Sequence, residues 1–424
     1  MTKSIDSHSN KTLRATFLKD MVLPALLVIN IFSAAFQHLT TITEGSFYLL
    51  IVLFSILIKK GHWRKYNTEI LNWPFNRILV VFILWCLLTS LLSTQVGNSI
   101  HDWYRYLLSP AFIIFLIVFS CASIKTMEIV ISSAVLSLAL VLLWSLAYFY
   151  GLEHAHLTTR LNAAKETAIS INNVGFVAVI PFFLGIGLLI NAKKIIYKII
   201  YITCITAALS AMILSATRGA IIGFIAPLLL LLMIAKKKAL LFFLLSLVGI
   251  AIFLSPARNL FSINNISSKI SNGDRPDIWL LYSKVVADNP ITGLGFGFGN
   301  YTPEIYKKYM TKLPPRNKRH IGKGVFYFTH NIFLDTAVRT GYVGVILFFV
   351  ILAAIGKMLV EIFINSKNLV IKRWGILISA SLMSIIIQGM LTDILSSRHS
   401  YIFYLILAFT SSLYFIHQKD NNIL

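Results

Sequence analysis

Cysteine is scarce in this chain of 424 residues: Cys86, Cys121 and Cys204 are the only three. Each falls inside an apolar run and no CxxC pair occurs. That argues against a disulfide framework and reads them as small buried hydrophobes. Charge is also short, at 13% of residues against 57% hydrophobic, and acidic residues number 16 against 38 basic ones. A soluble domain carries about 25% charged residues, so a soluble globular fold is excluded. No segment alternates apolar and polar residues over barrel-strand lengths, which argues against a membrane β-barrel. Solenoid repeats, low-complexity tracts and a two-fold echo between halves are missing as well. DxD, Walker A, HExxH and GxSxG are absent, so metal-dependent and nucleotide-driven chemistry lack support and no cofactor or metal is expected.

What the chain does have is long apolar blocks. A helix of ~20 residues crosses a hydrocarbon core, and runs of about that length recur near 21–40, 45–59, 77–94, 107–123, 127–149 and 171–191. Six more lie near 196–215, 219–235, 238–254, 341–360, 371–391 and 400–417. The expectation is an all-α polytopic membrane protein of about 12 transmembrane helices with one large, partly helical external loop. The first twenty residues are polar and basic without a cleavage pattern, so Met21 onward reads as a retained span. Lys and Arg concentrate in every second connection, at Lys59–Lys65, Lys125, Lys193–Lys198, Lys236–Lys238, Lys357–Arg373 and Lys419. By the positive-inside rule both termini are expected in the cytoplasm. Three regions follow: 1–254 with about nine spans, 255–340 as loop and start of a further helix, and 341–424 with about three spans.

The net charge of +22 is partly this topological excess, and nothing in it calls for nucleic acid. The loop from about Ser255 to Thr329 is different, because it sits on the external side with eleven Lys or Arg against four acids. Its basicity suits an anionic ligand, or a solvated basic surface. Within it SKVVADNP has helical spacing ending at a proline, and GLGFGFGNY reads as turns, with no strand–turn–helix context for a dinucleotide fingerprint. A partly helical cap is expected.

Ionisable residues at span ends are the functional candidates. Arg218, in SATRGA, has a planar fork suited to oxyanions, or it marks the interface by snorkelling. Arg275, in GDRPDIW, is a loop arginine with Asp274 as a local partner or cap. His330 follows Thr329, a residue able to cap a helix, and is expected in that helix's first turn. There a neutral imidazole would be favoured, either as a general base or as a passive hydrogen-bonding group. Asp335 and Arg339, four apart, are expected to pair. Gly341 and Gly344 would allow another helix to approach. Asp393, in LTDILSSRHS, has Arg398 five residues on and orients a partner or caps a helix. Asn331, Arg316, Lys318, Arg319 and His320 are further substrate contacts to consider. Glu153, His154, His156 and Arg160, and His101, Asp102 and Arg105, are weaker candidates at other span ends.

Together these residues resemble the O-antigen ligase family within the O-antigen ligase and polymerase superfamily. The match is HN, nine residues, then GYVG (His330, Asn331, Gly341, Gly344). SATRGA carries over Arg218, RPDIWLLYSKVVADNPITGLGFGFGN carries over Arg275, and the late-span region carries over Asp393. The resemblance implies a bacterial inner-membrane glycosyltransferase with a periplasm-facing site. It would ligate O-antigen from undecaprenyl diphosphate onto lipid A–core oligosaccharide, with membrane lipids as its surroundings. Arg218 and Arg275 would bind the donor diphosphate, His330 would be the base and Asp393 an orienting group, with inversion and without metal. The alternatives are an O-antigen polymerase, a protein O-glycosyltransferase, and, from another class, a secondary transporter or lipid flippase.

Overall fold

A computed structural model describes residues 17–59, 73–157, 159–161, 173–234, 274–314, 329–392 and 400–421. Among them every regular element is helical, and no strand occurs. The chain is an all-α polytopic membrane protein. Its elements are α1 (Leu23–Ala34), α2 (Thr40–Lys59), α3 (Pro74–Leu91), α4 (Val96–Ser120), α5 (Ile124–Leu152), α6 (Val174–Asn191) and α7 (Ile195–Leu214). They continue with α8 (Arg218–Ile234), α9 (Asp274–Asp288), α10 (Pro303–Thr311), α11 (Ile332–Asn365), α12 (Leu369–Gly389) and α13 (Ser400–Asp420). Eight of these are long and apolar enough to cross a membrane, and α3 and α8 supply shorter apolar helices. The expected span 238–254 lies outside the described residues.

Local chemistry sets the ends. Pro74 opens α3 at a position where a missing N–H costs nothing, after an extended Trp73. Ser123 caps α5 by accepting from Thr126 N. The first apolar run does not hold one helix to residue 40. Phe36 turns extended, α1 stops at Ala34, and α2 begins at Thr40, five residues earlier than its apolar run suggests. The fourth span also starts earlier, at Val96, and passes through a wide π turn at Tyr104–Leu108. His101, Asp102 and Arg105 therefore lie within the helix, not ahead of it.

Two cores organise the molecule. The larger joins the membrane helices, with α13 against α4, α8 against α12 and α11 against α3. The smaller lies in the cap: Ile278, Leu281, Tyr282, Val285 and Val286 of α9 pack with Tyr301, Tyr309 and Leu313. Ala337 and Val338 of α11 belong to this second core. The cap, partly helical as expected, is thus fastened to the first turns of α11.

The fastening depends on a break. α11 is two helices joined at Gly341, whose φ of 68° and ψ of −173° lie in a region only glycine enters readily. Three carbonyls around the break turn to partners outside α11. Val338 O accepts from Leu294 N (2.7 Å), Arg339 O from Gly295 N (3.1 Å) and Thr340 O from the Trp85 indole (2.9 Å). In return Tyr342 N donates to Pro290 O at 2.8 Å. A Cβ on Gly341 would collide with the Ile291 carbonyl, and one on Gly344 with the Thr340 side chain. The two glycines therefore admit a loop and the helix's own bend; the close approach of a second helix, expected from their spacing, is not what they provide.

Gly341→Ala is expected to lower the thermal unfolding midpoint. The backbone strain alone amounts to roughly 1–3 kcal/mol, before the steric clash is added. Gly356→Ala, in the same helix with open space around it, should leave the midpoint nearly unchanged. Melting curves of the two purified variants, followed by size-exclusion fluorescence, check the difference.

Candidate functional site

His330 does not sit in the first turn of a helix headed by Thr329. Asn331 is the cap: its side-chain oxygen accepts from Phe333 N (3.0 Å) and Leu334 N (3.1 Å), and α11 begins at Ile332. Both residues can cap, and it is Asn331 and not the expected Thr329 that does so. Thr329 instead accepts from Asn331 N and donates to Asn331 O through its hydroxyl, bracketing the histidine. His330 is left between them with a φ of +52°, a left-handed conformation costly for a non-glycine residue. Such strain persists only where neighbours over-determine it. Here Thr329 is fully buried, and its carbonyl accepts from the Trp279 indole at 2.9 Å.

Trp279 lies on α9, one helical turn after Arg275, so the two project from the same face. The indole that anchors Thr329 thereby brings the Arg275 guanidinium to His330. Burial, first, and the Arg275 charge, second, hold the His330 ring below its ordinary pKa, with Asp335 pulling the other way. The ring is therefore neutral at ordinary pH and able to accept a proton. Neutrality was expected from a helix N-terminus; desolvation and a neighbouring cation supply it instead.

Behind the histidine Asp335 and Arg339 pair as their spacing anticipates, with Nε to Oδ2 at 2.8 Å, and each is 1% exposed. Two buried charges are tolerable only when further groups complete them. The Tyr301 hydroxyl donates to the second Asp335 oxygen at 3.1 Å, and the guanidinium lies 4.4 Å from the centre of the Phe298 ring and 5.3 Å from that of Tyr301. The glycine-rich stretch 293–299 delivers these rings. Phe298 N donates to Asp102 Oδ2 at 2.8 Å, and Gly297, at φ +107°, lies so close to Asp102 that a Cβ would clash.

Arg218 belongs to a second cluster. It opens α8 after a turn in which Ala216 takes a φ of +47°. Arg160 and Leu161 hold that turn, through Arg160 Nε to Ser215 O at 2.6 Å and Leu161 N to Leu214 O at 2.9 Å. Arg160, weak on sequence grounds, thus joins Arg218 at one turn. The Nη2 of Arg218 is buried and has no hydrogen-bond partner among the described residues. A buried donor of that kind is held ready for an acceptor. Gly219, the next residue, packs on Leu391 past the end of α12. Asp393, Arg398, Arg316, Lys318, Arg319 and His320 lie outside the described residues.

The structure therefore brings together His330, Arg275, Asp335 and Arg339, and sets Arg218, at the start of α8, with Arg160 of the connection after α5. Chemically the first cluster offers a neutral base beside a cation, and the second offers the Nη2 of Arg218, without a hydrogen-bond partner among the described residues. Among known families, the one described as O-antigen ligase fits residues 202–349. That segment contains Arg218, Arg275 and His330. No curated protein matches the chain.

Removing the Arg275 charge with Arg275→Gln should raise the His330 pKa. Full return to about 6.5 is not expected, because burial, the larger cause, remains. The pH dependence of His330 carbethoxylation in a background lacking reactive surface histidines reads this directly. The sign for stability follows: a histidine with a depressed folded pKa costs the fold nothing above about pH 6.5 and destabilises it as pH falls below that. In the ion pair, Asp335→Ala strands a buried guanidinium and should cost about 3–5 kcal/mol, and the Asp335→Ala/Arg339→Met double variant clearly less. Denaturation of the purified variants checks it.

Proposed function

Because the chain belongs to the O-antigen ligase family through residues 202–349, we propose that it is a glycosyltransferase ligating O-antigen from undecaprenyl diphosphate onto lipid A–core oligosaccharide. The observation that carries this reading is the His330–Arg275 arrangement: a strained, partly buried, neutral imidazole beside a cation, at the entrance to a membrane helix. Its setting is the bacterial inner membrane, with both termini cytoplasmic and the site toward the periplasm.

The chemistry needs little else. The acceptor hydroxyl oxygen attacks the anomeric carbon of the donor sugar, and its proton passes to the imidazole of His330. As that bond forms, the sugar–phosphate bond breaks and its electron pair leaves on the diphosphate. Direct displacement of this kind inverts the anomeric configuration. Arg275 and Arg218 meet the negative charge that grows on the leaving group, and fixed donors aimed at developing charge are the strongest catalytic device of this type. The open Nη2 of Arg218 supports that role. Asp393 orients an arginine or the acceptor. The donor's own diphosphate supplies the driving force, so neither ATP nor a nicotinamide enters. Loop cations, Arg316, Lys318 and Arg319 among them, draw in the anionic donor and the phosphorylated core, with His320 a further substrate contact.

The test is reconstitution of the purified protein in bilayer discs with undecaprenyl diphosphate-linked glycan and lipid A–core. Glycan-bearing lipid A–core should form with the wild type. His330→Ala, folded and inserted, should lose it, and near-normal transfer by that variant would remove the base from the mechanism. Arg275→Ala should slow turnover by about 10²–10³-fold. Arg218→Lys keeps the charge but loses the fork, and should slow transfer by at least about tenfold. Extension of carrier-linked glycan with no transfer to lipid A–core would assign the same chemistry to a polymerase.

A further inference from the structure

A cavity of about 270 Å³ lies between α1, α2, α4 and α13, apart from both arginine clusters. It sits at the cap end of the bundle: Tyr106, in its wall, makes an edge contact with Phe298, the ring beneath Arg339. Six rings line it, those of Phe36, Phe47, Tyr48, Tyr104, Tyr106 and Tyr401, with Glu44 and Arg105 among them. The α4 wall is the π turn Tyr104–Leu108, a distortion that gathers at functional positions.

Tyr401 decides what the cavity is for. Its hydroxyl is buried and has no hydrogen-bond partner among the described residues, although it belongs to a residue lining open space. A buried hydroxyl left unpaired is a cost the fold carries. An alkyl chain in the cavity would leave it unpaired. An anion such as a diphosphate would meet the Glu44 carboxylate as readily as the Arg105 guanidinium. The ligand that fits has flat C–H faces to lie on aromatic rings and neutral hydroxyls around its rim for a carboxylate, a guanidinium and a phenol.

We propose that this cavity binds one uncharged sugar ring of a glycan substrate. The source of that sugar, donor glycan or acceptor oligosaccharide, rests on the transfer reading given above. The binding itself does not. Tyr401 donates to a ring hydroxyl, Glu44 accepts from neighbouring ones, and the tyrosine and phenylalanine faces receive the C–H side. The cavity is thus a positioning subsite, one ring removed from the loop that carries Phe298.

Saturation-transfer NMR on the full chain in bilayer discs tests it, with free glucose, galactose and N-acetylglucosamine as probes. Saturation should pass from protein to the C–H protons of at least one sugar. Tyr401→Phe and Glu44→Gln should each reduce it at least fivefold, and His330→Ala should retain it. Tyr401→Phe removes an unpaired group, so its melting temperature should not fall, which separates a binding loss from a folding loss. No transfer to any of the three sugars, or equal transfer in the two cavity variants, overturns the proposal. So does an alkyl glucoside that receives saturation on its chain alone. In the reconstituted reaction the same variants should raise KM for one lipid-linked substrate at least fivefold with kcat nearly kept, and the substrate affected names the source. If neither KM moves, the subsite fails while the transfer reading stands. If sugars bind and the cavity variants abolish binding but no transfer is ever seen, the subsite stands and the transfer reading fails.

Discussion

The break in α11 at Gly341 is the constraint from which the described site hangs. An unbroken helix would keep the carbonyls of Val338, Arg339 and Thr340 for its own ladder. Broken, it offers them to Leu294, Gly295 and Trp85, and ties the glycine-rich loop and α3 to one point. In a low-dielectric setting free carbonyls must be satisfied by other protein groups, so loop and break require each other. The loop held there carries Phe298 and Tyr301, which complete the Asp335–Arg339 pair. It also follows directly on α9, which carries Arg275 and Trp279. The histidine's left-handed backbone, its cationic neighbour and its buried anchor all follow from how that segment is seated.

The buried ion pair makes sense in this light. It adds little as a source of stability, since desolvating two charges offsets most of their attraction. Its effect is on specificity of packing: only one seating of the loop puts both Phe298 and Tyr301 against the guanidinium while Tyr301 reaches the carboxylate. The aromatic residues of the glycine-rich stretch are thus matched to the charges of α11. The surrounding glycines let the backbone come close enough for that match, Gly295 against Ser93 being the tightest case and Gly297 against Asp102 another.

What could be read from the sequence was whatever depends on near neighbours in the chain. Apolar run length gave the membrane helices, with shifted ends. Spacing of four gave the Asp335–Arg339 pair. Helical spacing ahead of a proline gave α9. Where structure and local pattern differ, the cause is a partner distant in the chain. Thr329 and Asn331 are both good caps two residues apart, and only the Trp279 bond to the Thr329 carbonyl settles which one is free to serve. Gly341 looks like a helix-packing glycine because its true neighbour, Ile291, is fifty residues away. Arg160 reaches the Arg218 turn over 55 positions, Asp102 reaches Phe298 over 196, and Trp85 reaches Thr340 over 255. No local pattern encodes such pairs, and the unpaired Tyr401 hydroxyl is likewise a fact of three-dimensional packing.

Under the proposed chemistry the division of the arginines gains a meaning. Arg275 rides on the cap, which has its own small core and is fastened mainly through α11. Arg218 heads a helix of the membrane bundle, seated on α12. A clamp whose two jaws belong to different packing units closes on a ligand that supplies charge to both, and such a ligand stabilises the arrangement it completes. A diphosphate carried on a lipid has that property. The open Nη2 of Arg218 and the cation held against a neutral His330 are costs in the free protein that an incoming dianion relieves together. A free protein bearing both costs is poised for the leaving group more than for the sugar. Recognition of the sugar then falls to uncharged contacts elsewhere, which is the place the aromatic cavity beside Tyr106 would occupy.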